Sequence, residues 1–291
     1  MKVCYAKKLF AGMLCLLLLT ACGSSTETAP AQTSGAVSTE TAESAAQEKT
    51  DEAAGQTENA TTEQTIPDVA ASETSGAEAS ASEESDTAPS KLLYMGQASI
   101  RITTGEGKVI YIDPYVGDGY EPAADLILVT HGHYDHNGVE KVTNRNDDCQ
   151  IITWKEALKD GAYQTFDLGY VTVEAVEAGY NNYHDVSECV GYVLTLADGV
   201  SVYLSGDTST TKQMPLLAEK QIDYAFYCCD GVYNMDLEEA AACANTVGAK
   251  HNIPYHMIAQ DGVYFDRERA EQFPADNLLV VDEGEEIELL K

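Results

Sequence analysis

Four side chains of types that bind metals fall within one six-residue stretch of this 291-residue chain. The stretch is His131-Gly132-His133-Tyr134-Asp135-His136. Imidazole and carboxylate groups are good ligands for Zn²⁺, Fe²⁺ and Mn²⁺. A tetrahedral ion that keeps one position open for substrate takes only three protein ligands. Four ligand-type residues so close together therefore indicate two adjacent metal ions rather than one.

An apolar run directly precedes this stretch and predicts how it is positioned. Leu126–Thr130 is rich in apolar and β-branched residues, which indicates a buried strand ending at His131. Ligand crevices form at the carboxyl ends of strands in open sheets. His131 and His133 are two residues apart, so an extended backbone would turn both to one side. Asn137-Gly138 then predicts the start of a helix.

The stretch lies in residues 91–291, which we predict to be one globular domain. Short apolar runs alternate there with turn signals, and Ala197-Asp198-Gly199 predicts a β-hairpin. Helices are predicted at Gly138–Asn144, Lys155–Asp160, Thr211–Lys220, Leu237–Val247 and Asp266–Phe273, and late strands at Leu278–Val281 and Ile287–Leu290. This order favours an α/β domain with two sheets and helices on the outside.

The pattern His131-x-His133-x-Asp135-His136 resembles the signature of the metallo-β-lactamase superfamily. Further positions match that family's remaining motifs. They are His184 in Tyr183-His184-Asp185, Asp207 in Ser205-Gly206-Asp207-Thr208, His256 in Ile253-Pro254-Tyr255-His256, and Asp113 in Tyr111-Ile112-Asp113-Pro114, which corresponds to an aspartate that does not bind metal. The resemblance spans essentially all of residues 91–291 and implies an αββα sandwich.

Later motifs point to one branch of the superfamily. Asp223-Tyr224-Ala225, Gly231-Val232-Tyr233-Asn234-Met235 and Glu239-Ala240-Ala241 are similar to small hydrolases grouped with ascorbate-6-phosphate lactonase. Two positions depart from that branch: Gln97 replaces a frequent histidine, and Cys228-Cys229 replaces an aliphatic-proline pair. These departures concern the substrate rather than the metal site.

The resemblance also implies a division of labour among the ligands. His131, His133 and His184 would hold one ion, Asp135, His136 and His256 the other, and Asp207 would bridge them. The ions would be Zn²⁺, with Mn²⁺ or Fe²⁺ as alternatives. A hydroxide formed between them would cleave a small lactone, ester, thioester or phosphodiester. Asp135 would be the catalytic residue that orients the nucleophile and passes a proton to the leaving group. An aspartate at position 207, rather than cysteine, resembles lactonases, glyoxalases and phosphodiesterases more than true β-lactamases.

Two other functions are compatible with the same residues. A non-catalytic surface protein could keep the metal site for folding or for binding a ligand or metal. Oxidation–reduction at a di-iron centre is a third interpretation, but no flavodoxin-like sequence follows the site. The intact ligand set, including Asp135, favours the hydrolase.

The first 22 residues have the pattern of a bacterial export signal. Lys2, Lys7 and Lys8 precede the apolar run Leu9–Leu19, and Leu19-Thr20-Ala21-Cys22 resembles a lipobox. The resemblance implies a signal peptide and lipidation of Cys22, with palmitate among the lipids. Residues 23–90 are rich in Ala, Ser, Thr and Glu, which predicts a disordered acidic tether. We therefore expect an extracytoplasmic protein anchored to the bacterial cell membrane.

Charge and cysteine content limit the partners. The net charge is −31, which argues against nucleic acid and leaves a small molecule and the membrane as expected partners. The five cysteines after residue 90 include no C-x-x-C spacing, so we predict buried thiols rather than a disulfide framework.

His251 is predicted to be a surface residue. Loop tyrosines that could line a pocket or lie on the surface are Tyr115, Tyr120, Tyr134, Tyr180, Tyr183 and Tyr233.

Overall fold

The computed structural model describes residues 88–260 and 262–291. The predicted signal peptide with Cys22, and residues 23–87 of the predicted tether, lie outside the described residues. The first strand begins at Ser90. Among the described residues, no helix has the length and apolar character needed to cross a membrane.

The described chain is built mainly of short strands. The strands are β1 (Ser90–Gly96), β2 (Ser99–Thr103), β3 (Val109–Ile112), β4 (Ala124–Leu128), β5 (Arg145–Ile152), β6 (Leu158–Lys159), β7 (Ala162–Tyr163), β8 (Thr165–Asp167), β9 (Val171–Glu177), β10 (Val190–Leu196), β11 (Ser201–Leu204), β12 (Tyr224–Cys228), β13 (His251–Tyr255) and β14 (Glu286–Leu289). The helices are α1 (Trp154–Ala157), α2 (Met214–Leu217), α3 (Leu237–Val247) and α4 (Arg267–Ala270), with 3₁₀ turns at Val139–Lys141 and Ala218–Lys220.

Two six-stranded sheets share one plan. Their strand orders are β14-β1-β2-β3-β4-β5 and β13-β12-β11-β10-β9-β8, and β6 pairs with β7 in a separate ribbon. In each sheet four neighbouring strands pair antiparallel, namely β14-β1-β2-β3 and β8-β9-β10-β11. The remaining pairs are parallel, in the sets β3-β4-β5 and β11-β12-β13. Every residue of β3, β4 and β12 is buried, as expected for parallel strands covered on both faces.

The inner faces of the sheets pack together in one apolar core. Ile100 and Leu126 of the first sheet belong to the same buried cluster as Tyr192 and Phe226 of the second. Helix α3 adds apolar residues to this cluster and contacts β12 from outside. The predicted α/β sandwich of two sheets is therefore confirmed, although α3 alone exceeds four residues among the described helices.

Local predictions fared unevenly. The hairpin at Ala197-Asp198-Gly199 and the helix Leu237–Val247 are confirmed. The helix predicted at Gly138–Asn144 is wrong: only one 3₁₀ turn forms, because the Arg145 side chain binds the carbonyls of Val139 and Val142 and turns the chain into β5.

Two other element predictions are also wrong. The helix expected over Lys155–Asp160 ends at Ala157, where the chain enters the β6-β7 ribbon. Leu278–Val281 makes one isolated bridge to β13, through Leu278 and Asn252, instead of a strand. The Asn252 side chain also donates to the Asp276 carbonyl, so the chain before this segment is fixed to β13 at the same residue.

Two aspartates fasten the parallel strands at matching places. Asp125 accepts hydrogen bonds from Val109 N at 2.8 Å and from Lys108 Nζ at 2.9 Å. Asp223 accepts from Ser201 N at 2.8 Å. Each carboxylate thus joins the start of one parallel strand to the start of its neighbour. Burial raises the pKa of Asp125, but the bonds from Val109 and Lys108 outweigh it and hold that pKa below its ordinary value.

We predict that Asp125→Ala lowers the free energy of unfolding by about 2 kcal/mol near neutral pH, because it removes hydrogen bonds to a charged group. The folded-state pKa lies below the unfolded one, so this contribution is present above the unfolded pKa and is lost as pH falls through the folded one. Urea unfolding at about pH 7 and about pH 3 should therefore show that the difference in unfolding free energy between the variant and the wild type becomes smaller in acid. The control is Asp148→Ala, at an exposed carboxylate of β5. A gap that does not change with pH would contradict the assignment.

Candidate metal centre

The candidate site lies where parallel strands of both sheets end. Five strands are each followed within three residues by a side chain of the site: β3 by Asp113, β4 by His131, β11 by Asp207, β12 by Asp230 and β13 by His256. His184 comes from the loop between β9 and β10. Carboxyl ends of parallel strands are the usual place for ligand crevices in such sheets. The shared plan of the two sheets thus brings residues far apart in the chain to one edge.

The structure gathers all seven predicted ligands. His131, His133 and His184 form one group, and Asp135, His136 and His256 form a second; within each group one ligand atom per residue lies within 4.8 Å of the others. These are the two sets that the resemblance implied. Metal binding by them remains a prediction.

Asp207 lies between the two groups. Its Oδ2 is 3.2 Å from His184 Nε2 and 4.0 Å from His131 Nε2, both in the first group. The same oxygen is 3.4 Å from His256 Nε2, and Oδ1 is 3.4 Å from His136 Nε2, both in the second. One carboxylate therefore faces both groups at once, as a bridging ligand must.

Two unsatisfied atoms test whether cations fit this site. His136 Nε2 and Asp207 Oδ1 are fully buried and face each other at 3.4 Å, but neither makes a hydrogen bond among the described residues. Buried polar atoms normally find a partner, and orphaned ones call for an explanation such as an ion. A set of imidazole nitrogens and carboxylates supplies the donors that Zn²⁺, Mn²⁺ and Fe²⁺ accept. The residues present therefore fit divalent ions.

The pKa shifts of the buried groups also indicate a site that attracts positive charge. Burial raises the pKa of Asp207, but His256 and His136 outweigh it and hold that pKa well below its usual range. Burial lowers the pKa of His136, yet Asp207 and Asp113 raise it well above its ordinary value. In contrast, burial and the neighbouring His136 lower the pKa of His131. The carboxylates thus draw positive charge into the site, which protons on histidine supply when nothing else does.

Asp113 supports the second group from behind. Its Oδ1 accepts from Thr130 N at 2.7 Å, and Oδ2 accepts from the Thr130 hydroxyl at 2.7 Å. Oδ2 also lies 2.8 Å from His136 Nδ1, so the opposite ring nitrogen is directed towards Asp207. Partners of this kind fix the orientation of a ligand imidazole. Asp113 is therefore a positioning residue, in keeping with its resemblance to a non-ligand aspartate.

Two supporting residues escaped the sequence analysis. Asn181 Oδ1 lies 3.1 Å from His184 Nδ1, and Asp230 Oδ2 lies 3.6 Å from His256 Nδ1. The place of Asp230 at the end of a buried strand was the signal that could have revealed it. Asp185, the residue that follows His184, is exposed and accepts hydrogen bonds from Ser187 rather than from the histidine.

The backbone of the site is tightly constrained. The segment from Thr130 to His136 forms bends and turns, so the extended backbone expected around His131 and His133 is wrong. Side chains and backbone groups of Asp113 and Thr130 hold this bend. Even so, His131 Nε2 and His133 Nδ1 lie 3.0 Å apart. At Gly132 a Cβ atom would lie 2.9 Å from the Trp154 ring, which explains the glycine inside the motif.

Three site residues adopt left-handed backbone conformations. The φ angles are 52° at Gln97, 44° at Asp113 and 42° at His256. Such angles cost non-glycine residues of order 1 kcal/mol or more and tend to cluster at functional sites. His256 is held in place by backbone bonds from its N to Gln97 O and from Cys229 N to its own carbonyl.

The two departures from the lactonase-like branch have different surroundings. Gln97 is buried in the site, with Nε2 3.1 Å from Asp135 Oδ2 and 3.0 Å from His256 Nε2. Cys228 and Cys229 are buried in the core, and burial raises the pKa of the Cys229 thiol to about 12. All five cysteines after residue 90 are free, as predicted.

A cavity of about 730 Å³ opens over the candidate ligands. Its wall includes Tyr115, Tyr134, Tyr183 and Tyr233 from the predicted set of loop tyrosines, together with Tyr264, which the sequence analysis missed. The other two predicted tyrosines do not line it: Tyr120 stacks on Tyr111 at 5.4 Å and Tyr180 binds Glu177. His251 lies at the start of β13 and stacks on Tyr224.

Comparison with known proteins agrees with this site. Residues 91–256 match the family model described as a β-lactamase superfamily domain. A UPF0173 metal-dependent hydrolase from Geobacillus thermodenitrificans is 31% identical over 208 residues, which span 60% of this chain and 91% of the relative. A second from Pyrococcus furiosus is 28% identical, and the match spans 68% of this chain and 99% of that protein.

Solved structures share the fold. A putative metal-dependent hydrolase from Parabacteroides distasonis is 26% identical with a TM-score of 0.54, and the match covers 66% of this chain and 92% of that one. Igni18, a metallo hydrolase from Ignicoccus hospitalis, is 20% identical with a TM-score of 0.56, and the match covers 70% of this chain and 100% of that one. The chain therefore belongs to the metallo-β-lactamase superfamily, as a metal-dependent hydrolase of the UPF0173 family.

Proposed function

We propose that this hydrolase uses two divalent metal ions to cleave a small lactone, ester, thioester or phosphodiester. The observation that carries the proposal is the position of Asp207. Its carboxylate faces a histidine triad on one side and a second triad containing Asp135 on the other. A single-ion site would need only one of these groups.

The ligands divide between the two ions as the geometry suggests. His131, His133 and His184 would hold the first ion, Asp135, His136 and His256 the second, and Asp207 would bind both. Zn²⁺ is the proposed metal, with Mn²⁺ or Fe²⁺ as alternatives, since all three accept this donor set. Two such ions lower the pKa of a water molecule that they share, and so supply hydroxide near neutral pH.

Asp135 is the proposed catalytic residue. It lines the cavity and keeps part of its surface open, whereas Asp207 is buried. Burial raises the pKa of Asp135, but the hydrogen bond with His256 and the charge of His136 outweigh burial and hold that pKa below its ordinary value. The group is therefore an ionised carboxylate. Gln97 contacts Oδ2. This leaves Oδ1 to orient the attacking water, accept its proton and pass that proton to the leaving group.

The ascorbate-6-phosphate lactonase-like branch is part of the same proposal. Its support is the similarity of the motifs around Asp223, Gly231 and Glu239, and the aspartate at position 207. The names of the relatives specify a metal-dependent hydrolase and no substrate. Turnover of one of the proposed substrate classes therefore tests the proposal.

We predict that the full chain reconstituted with zinc hydrolyses at least one class in a panel of lactones, esters, thioesters and phosphodiesters. Asp135→Asn should lower kcat by about 100-fold or more, because an amide cannot take up the proton. Zinc content measured on the same samples separates this effect from metal loss. The control Asp185→Asn changes an exposed acid beside His184 and should leave kcat unchanged. Full zinc content without turnover would contradict the proposed reaction, and an unchanged kcat in Asp135→Asn would contradict the catalytic role of Asp135.

We also propose that the enzyme is a lipoprotein held outside the cell by a lipid on Cys22. The support is the sequence alone: a basic start, an apolar run and the lipobox-like Leu19-Thr20-Ala21-Cys22.

We predict that Cys22→Ser abolishes lipid attachment, because the serine hydroxyl cannot form the thioether. Radioactive palmitate should label the wild type in a bacterial host and should fail to label the variant, which should leave the membrane fraction. Cys15→Ser, within the apolar run, serves as the control and should remain labelled. Labelling of Cys22→Ser would overturn the assignment.

A further inference from the structure

The charge of the cavity wall restricts the substrate. Among the described residues that line the cavity, none is lysine or arginine. The charged residues there, apart from histidines, are the carboxylates Asp135 and Asp207. An anionic group remote from the reacting bond would therefore meet no side-chain cation, and the acidic chain would repel it on approach.

Tyrosines supply most of the remaining wall, in two sets. Tyr183 and Tyr233 form an edge-to-face pair with ring centroids 5.0 Å apart. In the other set, Tyr115 contacts Tyr134 at 5.6 Å and Tyr264 at 6.0 Å, again edge to face. Each ring is thus braced by another ring of its set, which keeps the wall in shape.

Three of these rings are exposed, and two of the three lie next to a candidate ligand in the chain. Tyr134 is 67% exposed, Tyr183 54% and Tyr233 45%. Tyr134 stands between His133 and Asp135 in the chain, and Tyr183 directly precedes His184. Large aromatic side chains that are exposed around a cavity mark a binding surface, because contact with water is unfavourable for their apolar area unless a ligand covers it. Ile258 and Ala259 add apolar surface to the same wall.

We propose that the substrate is an uncharged aryl lactone or aryl ester whose aromatic ring packs against these tyrosines; this rests on the hydrolase function proposed above. Edge-to-face and offset stacking favour a planar aromatic ring over a saturated ring of equal size. In the reaction, water adds to the carbonyl carbon and the bond from that carbon to the aryl oxygen breaks. An aryl ester gives a carboxylate, a phenol and a proton, whereas an aryl lactone gives one molecule that carries both the carboxylate and the phenol, and a proton.

Three matched lactones test the proposal on the zinc-loaded full chain. Dihydrocoumarin is the neutral aryl lactone, octahydrocoumarin has the same skeleton with a saturated ring, and dihydrocoumarin-6-carboxylate adds a remote negative charge. We expect kcat/KM for dihydrocoumarin, normalised to each compound's rate in alkaline solution, to exceed those of the other two by about tenfold or more. Equal normalised values, or a preference for the carboxylate, would overturn the proposal.

Variants of the tyrosine wall locate the effect. Tyr183→Ala and Tyr233→Ala should each lower kcat/KM for dihydrocoumarin about fivefold to tenfold and should lower kcat/KM for octahydrocoumarin by a smaller factor, so that the preference for the aryl lactone falls. Tyr183→Phe keeps the ring and should retain the preference. The control is Tyr180→Ala, at an exposed tyrosine outside the cavity, which should behave as the wild type. A loss of activity that is equal for both lactones would indicate a structural effect and count against the proposal.

A binding measurement separates failure of this proposal from failure of the hydrolase function. The lactam 3,4-dihydroquinolin-2-one has the shape of dihydrocoumarin and resists hydrolysis. Saturation-transfer NMR should show it bound to the wild type and lost from Tyr183→Ala, whereas its 6-carboxylate should not bind. This outcome without turnover of any lactone would contradict the hydrolase function alone. Turnover of other lactones without lactam binding would contradict the aryl preference alone.

Discussion

A carboxylate buried among histidines is the constraint on which the rest of the site depends. Asp207 is 3% exposed, and its two oxygens face imidazole nitrogens from both ligand groups. A buried, ionised carboxylate is costly unless positive charge compensates it. Here the compensation requires cations or protonated histidines on both sides. The fold therefore has to present its histidines at one point and hold them there.

Two sheets with the same plan solve this positional problem. The parallel strands of both sheets end at the same side of the domain, so the loops that carry the histidines start from rigid strand ends. Asp113 at His136 and Asn181 at His184 lie within hydrogen-bond distance of the rings and fix their direction, and the carboxylate of Asp230 lies 3.6 Å from His256 Nδ1. Tyrosines on the same loops then form the wall of the cavity, so one set of strand ends determines both the chemistry and the space for a substrate.

Features encoded by neighbouring residues could be predicted from the sequence. The helix Leu237–Val247 has an aspartate cap and a terminal glycine, and its predicted bounds are those observed. The seven candidate ligand positions, which the structure brings together, followed from spacing and resemblance. The bend from 130 to 136 could not be predicted, because Asp113 and Thr130 fix it through tertiary hydrogen bonds. Asp230 and Tyr264 escaped for the same reason: their roles depend on neighbours distant in the chain.

The claim that Asp207 bridges two ions is tested most directly by anomalous X-ray diffraction at the zinc edge, on crystals grown with zinc. The account predicts two peaks about 3.5 Å apart, as in other two-metal sites. One should lie within about 2.3 Å of nitrogens from the first histidine group and the other equally near the second group, with one Asp207 oxygen beside each. A single peak bound by one group, or two peaks that Asp207 does not touch, would contradict it.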